Sequence, residues 1–224
     1  LLKTVEFTVA SFIGGVILGL VVAMLRLSRP RILRAIAATY TEIFKNIPLL
    51  AIIFLAYFGL VSLGIKLDVF QAGCLSLIVF YAAYLSEIFR AAISGVHAGQ
   101  LEASNALGLS QVTAYTHVVF PQALRLALPG TNTMAVDLLK STSLLVTISA
   151  AELMTQGSLI ASETFQALEV YIVIALIYFA VCYPLSQVLL WIERRVRAGK
   201  PMTMRRARRL RAARRLLSET AVSA

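Results

Sequence analysis

The chain has 224 residues, 59% of them hydrophobic and 14% charged, with a mean hydropathy of +0.82. Those values exclude an ordinary soluble domain and indicate an all-α integral membrane protein. The formal net charge of +10 points to anionic headgroups rather than nucleic acid, because eleven of the 21 Lys and Arg residues crowd between Arg194 and Arg215 with no aromatic residue among the last eight.

Runs without a charge occur at 7–25, 46–65, 69–86 and 170–192, each near the roughly 20 residues that a helix needs to cross the hydrocarbon core. A further run, 132–151, has the length but carries Asp137 and Lys140, which hydropathy alone penalises. Loop charges decide in its favour. Arg26, Arg29, Arg31, Arg34 and Lys45 follow the first run, and the basic tail follows the last, whereas the stretch holding Glu152, Glu163 and Glu169 has no Lys or Arg. Basic residues mark cytoplasmic loops, so five spans at about 5–27, 46–65, 69–93, 132–151 and 170–192 are expected, N-terminus outside and C-terminus inside. The first reads as a retained span rather than a cleaved signal. Residues 197–224 read as a basic cytoplasmic tail lying on membrane lipid.

Gly15 and Gly19 in the first span are a small-xxx-small pair that suits close helix contact, within the chain or to a second subunit. Cys74 and Cys182 fall inside spans and read as packing residues, while His97 and His117 lack metal-ligand spacing, so no metal site is expected. There is no GxxxxGK[ST], HExxH or GxSxG, hence no catalytic machinery and no means of hydrolysing ATP within this chain.

Residues 98–121 are neither apolar enough to span nor charged enough for a plain loop. From 99 to 111 the composition suits a helix with Ala103, Ala106 and Leu107 on one small apolar face and Glu102 and Asn105 opposite. Gly108 is placed to end or bend it, Pro121 to interrupt a second helical stretch, and Pro129 with Gly130 to break the chain before the span at 132.

The stretch "EASNALG", 102–108, followed by "VVFP", 118–121, resembles the cytoplasmic signature of permease subunits of ABC importers: Glu-Ala-Ala, three residues, Gly, nine residues, then Ile-x-Leu-Pro. Ser104, Val118 and Phe120 depart from it by small or apolar exchanges. The stretches "EIFKNIPLLAIIFLAYFGL", "AAYLSEIFRAAISGVHAGQLEA" and "PQALRLALPGTNTMAVDLLKSTSL" resemble the polar amino-acid permeases of that superfamily, over nearly the whole chain up to about Val196. Lys45-Asn46-Ile47 and Ser141 depart from the subfamily pattern and leave the solute open. The resemblance implies a type I importer-like permease domain over 1–196, with residues 98–121 as a coupling helix seated in a groove of a cytoplasmic ATPase subunit through Glu102, Ala103, Ser104, Gly108 and Pro121. It implies that ATP and Mg are bound by that ATPase and not by this chain. A second permease, identical or similar, and an external solute-binding protein complete the expected assembly in the bacterial inner membrane.

Ionisable residues inside a span are site candidates. Lys140 stands with Asp137 one turn before it and Ser141, Thr142 and Ser143 after it, so an amino acid's carboxylate could meet Lys140 while Asp137, Thr142 and Ser143 complete the site. An internal Asp137–Lys140 pair at i, i+3 explains the same residues, and both readings stand at this point. Glu87 is a further candidate, although a structural pair with Arg90 suits it better. The alternative function is an autonomous channel or secondary transporter using Asp137 and Lys140 as an ion relay. A membrane scaffold that recruits partners through its basic tail is a third, and it leaves the motif and the midplane charges without purpose.

Overall fold

The computed structural model describes residues 1–198, and every regular element among them is helical. We number the helices α1 (Leu2–Leu27), α2 (Arg31–Asn46), α3 (Leu49–Ser62), α4 (Val69–Ser94), α5 (Ala98–Ala106), α6 (Gln111–Ile148), α7 (Leu153–Thr164) and α8 (Ala167–Arg197). Beyond Ala198 the expected basic tail lies outside the described residues. Helices α1, α4 and α8 are each long and apolar enough to cross a membrane. Helix α2 with α3, bent by 106°, and α6 with α7, bent by 50°, qualify only as pairs, which gives three to five candidate crossings among the described residues.

Helix α4 is the centre of the bundle. Of its most apolar 18-residue stretch 61% is buried within the chain, against 28% for α1 and 6% for α8, which leaves α8 on the perimeter. Asp68 starts α4 with a capping box, accepting from the Gln71 amide at 2.8 Å while the Gln71 side chain accepts from the Asp68 amide. Tyr81, Leu77 and Leu85 of α4 form a fully buried seam with Phe7 of α1 and with Leu138 and Leu145 of α6. The Gly15/Gly19 pair faces α4 and not a second subunit's surface: a Cβ on Gly19 would come within 2.9 Å of Leu85 Cβ and 3.2 Å of the Ala82 carbonyl oxygen. Small residues are thus what lets α1 and α4 close up in lipid.

Several expectations about boundaries require correction. The second apolar run does not form one helix over 46–65. Pro48 separates α2 from α3, and α3 is only six α-helical residues, a five-residue π turn (Leu55–Gly59) and a last turn of three. The stretch before it, read as a charged loop, is the amphipathic α2, whose Ala37 and Thr41 face the core. Its Thr41 hydroxyl meets Ser86 of α4 at 3.2 Å, and Tyr40 donates to the Val79 carbonyl of α4 at 2.7 Å.

Pro129 and Gly130, in turn, do not break the chain. The α-helical part of α6 runs unbroken over Phe120–Ser141 with Pro129 inside it. A Pro-Gly pair signals a turn in water, where water satisfies the freed carbonyl; between packed helices the remaining backbone keeps its own ladder. Gly130 lies close under Ile88 of α4, where an added Cβ would meet the Ile88 side chain at 3.0 Å. Pro121 likewise interrupts nothing, because it occupies the first turn after a π turn at Tyr115–Val119, where a missing amide donor costs little. The span expected to start at 132 therefore belongs to a helix that begins earlier.

Candidate functional site

Lys140 lies in the last α-helical turn of α6, before a 3₁₀ stretch at Thr142–Ile148. Its ammonium is 4.0 Å from Asp137 Oδ1, and the two side chains are 57% and 50% exposed. That separation is beyond hydrogen-bonding range, so the pair is an electrostatic neighbourhood rather than a closed bridge. The other carboxylate oxygen, Oδ2, accepts a 2.8 Å hydrogen bond from the phenol of Tyr81. Tyr81 stands at the middle of the 26-residue α4 and is 1% exposed. It ties Asp137 to the midpoint of the central helix. Ser141 joins the group, its hydroxyl 2.8 Å from the same phenolic oxygen. Asp137, Lys140 and Ser141 share one face of α6 through i, i+3, i+4 spacing.

The remaining solute candidates are placed differently. Thr142 is buried and spends its hydroxyl on the Leu139 carbonyl at 2.7 Å. Ser143 is half-buried and donates to the Lys140 carbonyl at 2.7 Å. Glu87 is held by two guanidiniums, Arg90 at 2.9 Å on its own helix and Arg26 at the end of α1. The expected Glu87–Arg90 pair is present, Arg26 was missed, and the carboxylate is engaged with these partners rather than with the Asp137 group. Tyr81 was also missed. The available signal was a phenol in the middle of an apolar run, which requires a partner for its hydroxyl.

The segment 98–121 folds as a helix, a turn and a re-entry. His97 caps α5, its Nδ1 accepting from the Gly99 amide at 3.1 Å. The helix ends at Ala106, earlier than expected, through two paired bonds: the Gly108 amide to the Asn105 carbonyl at 3.0 Å and the Leu109 amide to the Ser104 carbonyl at 3.1 Å. Gly108 carries φ +74° there, and a Cβ would meet nothing within 4 Å, so the glycine is required by backbone conformation and not by space. Ser110 then caps the start of α6, accepting from the Thr113 amide at 3.2 Å. Gln111 to Asn105 at 3.0 Å and Gln122 to Gln100 at 3.1 Å lock α5 onto α6. Glu102, Ala103 and Gly108 are exposed, as is Leu107 at 79%. Ser104 alone turns inward, its hydroxyl on the Gln100 carbonyl at 2.7 Å, and Pro121 continues into α6. Among the described residues no group of three His, Cys, Asp or Glu could hold a metal ion. Both cysteines are free thiols.

Taken as a whole, the chain is similar to known transport proteins. A probable glutamine ABC transporter permease, GlnM of Bacillus subtilis, is 35% identical over 193 residues, covering 86% of this chain and 89% of that protein. The glutamine transport system permease GlnP of Escherichia coli is 32% identical over 196 residues, covering 87% and 90%. The crystal structure of an amino acid ABC transporter contains a chain that matches with a TM-score of 0.82 at 34% identity, over 87% of this chain and 91% of that one. An inward-facing methionine ABC transporter matches in fold, with a TM-score of 0.73 at 22% identity over 87% and 93%. The family model for the inner membrane component of binding-protein-dependent transport systems covers residues 15–198, and this chain belongs to that family.

Proposed function

We propose that the chain is the permease subunit through which a polar amino acid or a related small solute passes into the cell, driven by ATP that a separate subunit hydrolyses. The chain is a transport subunit and not an enzyme. Relatives named for glutamine and L-cystine transport support an amino-acid cargo. The reading as an autonomous channel or secondary transporter finds no support, since the family depends on a binding protein.

In this reading five spans place the N-terminus outside and the basic end in the cytoplasm, supported by the loop charges. Helix α5 is the coupling helix. Glu102, Ala103 and Gly108 present its seat to an ATPase that carries ATP and Mg, while Ser104 and Pro121 hold the seat to the chain. The glutamine contacts between α5 and α6 make the segment a stiff lever, so closure of the ATPases moves α6 and with it Asp137 and Lys140. A second permease covers the open side of that pair, and an external binding protein delivers the solute.

The observation that carries the solute path is a cation and an anion left half open in the last α-helical turns of α6. An α-amino acid offers the complementary carboxylate and ammonium. The test is uptake of radiolabelled protein amino acids into proteoliposomes holding the assembled importer. Lys140→Ala is expected to reduce uptake to background while the ATPase still co-purifies; wild-type affinity and rate in that variant remove Lys140 from the path.

A further inference from the structure

We infer that Tyr81 is a positioning residue for solute recognition: its hydroxyl holds the Asp137 carboxylate against α4, which keeps that charge from closing on Lys140 and leaves it aimed at the solute's ammonium. The inference rests on the reading of Asp137 and Lys140 as the solute path. Two distances carry it. Asp137 Oδ2 lies 2.8 Å from the Tyr81 hydroxyl, inside hydrogen-bonding range, while Oδ1 lies 4.0 Å from the Lys140 ammonium, outside it. Residues at i, i+3 on a helix can close a direct pair. The carboxylate instead bonds across to the neighbouring helix.

The phenol has a single hydrogen. Given to the carboxylate, it leaves the phenolic oxygen to accept from Ser141, 2.8 Å away. The chain Ser141 to Tyr81 to Asp137 is therefore directed, and each donor is committed. Tyr81 itself is 1% exposed among Leu77, Leu85 and Leu138, so its ring cannot swing away. Lys140 donates no side-chain hydrogen bond among the described residues and keeps its ammonium on the open side, 57% exposed. The result is two opposite charges held 4.0 Å apart on one face of α6, with Tyr81 as the residue that keeps them apart.

Tyr81→Phe removes the hydroxyl and keeps the ring, so packing is retained. The purified permease–ATPase complex, without binding protein, is titrated with each radiolabelled protein amino acid in turn, and then with the deaminated analogue of the one that binds. In Tyr81→Phe the preference for the amino acid over its deaminated analogue is expected to fall about tenfold, the scale of one hydrogen bond to a charged group. Assembly with the ATPase remains as in the wild type. A purely structural role lowers both probes equally, and that result overturns the inference. Unchanged binding in Tyr81→Phe beside lost binding in Lys140→Ala overturns the inference alone. Wild-type binding in both variants, or no binding by the wild type, overturns the reading of the path together with it.

Discussion

The turn at Leu107–Ser110 and the Tyr81–Asp137–Lys140 group solve the same problem, holding polar groups in place, by opposite means. The turn is built from bonds between residues a few positions apart: a left-handed glycine, two backbone bonds and a serine cap. It leaves its outer face, Leu107 included, uncovered by the chain. The Tyr81 group is built from hydrogen bonds between residues 56 and 60 positions apart, buried on the α4 side and open on the other. A local device stays rigid wherever it is placed, which suits a lever. A long-range device exists only while two helices keep their register, which suits a site that must change when those helices move.

Breaking each device separately sharpens that contrast. The largest effect after Lys140→Ala is expected from Gly108→Trp or Glu102→Lys, which leave the protein inserted and the ATPase hydrolysing while uptake is lost. Normal ATP-driven uptake in both variants would remove the lever assignment. Next comes the α1–α4 contact, which sets the register of α4 and so of Tyr81. Gly19→Leu overpacks against Leu85 and the Ala82 carbonyl and is expected to cost about 1–3 kcal/mol. Gly14→Ala, which meets the Ile78 side chain at 2.6 Å and no backbone atom of α4, is expected to cost less. Thermal unfolding in detergent distinguishes the two, and equal losses would show that register does not rest on Gly19.

Arg26→Ala leaves Glu87 with Arg90 alone. A loss of about 2 kcal/mol is expected from removing a hydrogen bond to a charged group, with solute binding unchanged because Glu87 is engaged away from Asp137. Weaker amino-acid binding in that variant would return Glu87 to the solute path. The smallest effect belongs to Ser110→Ala, about 1 kcal/mol for a lost helix cap. Measurable loss of coupling without loss of ATPase binding would show that the turn's stiffness, and not its exposed face, transmits the motion.

Legibility in the sequence followed the same division. Gly108 announced a turn because a left-handed residue after a helical run is a local requirement, and Glu87 with Arg90 announced a pair through i, i+3 spacing. Tyr81 announced only that its hydroxyl needs a partner and Arg26 announced nothing, since their partners lie on other helices and nothing local marks which residues they reach. Pro129 and Gly130 misled for a related reason. Their turn signal assumes water on the freed carbonyl, and their neighbours in the fold are Ile88 and the packed helix of α4. Helix α2 was hidden by its charges, because a loop and an amphipathic helix share a composition and differ in which face finds Thr41 its partner on α4.

The sequence by itself determined the solvent, through composition; the helical class, because a chain crossing lipid must satisfy its backbone within each segment; and the family, through the spaced motif around Gly108. Only the tertiary structure decided that the glycines of α1 meet α4, that Glu87 is claimed by Arg26, that Ser104 faces its own chain, and that Asp137 hangs from Tyr81. Those are contacts between segments far apart in the chain, and periodicity says which face of a helix is apolar without saying which side chain will stand opposite it.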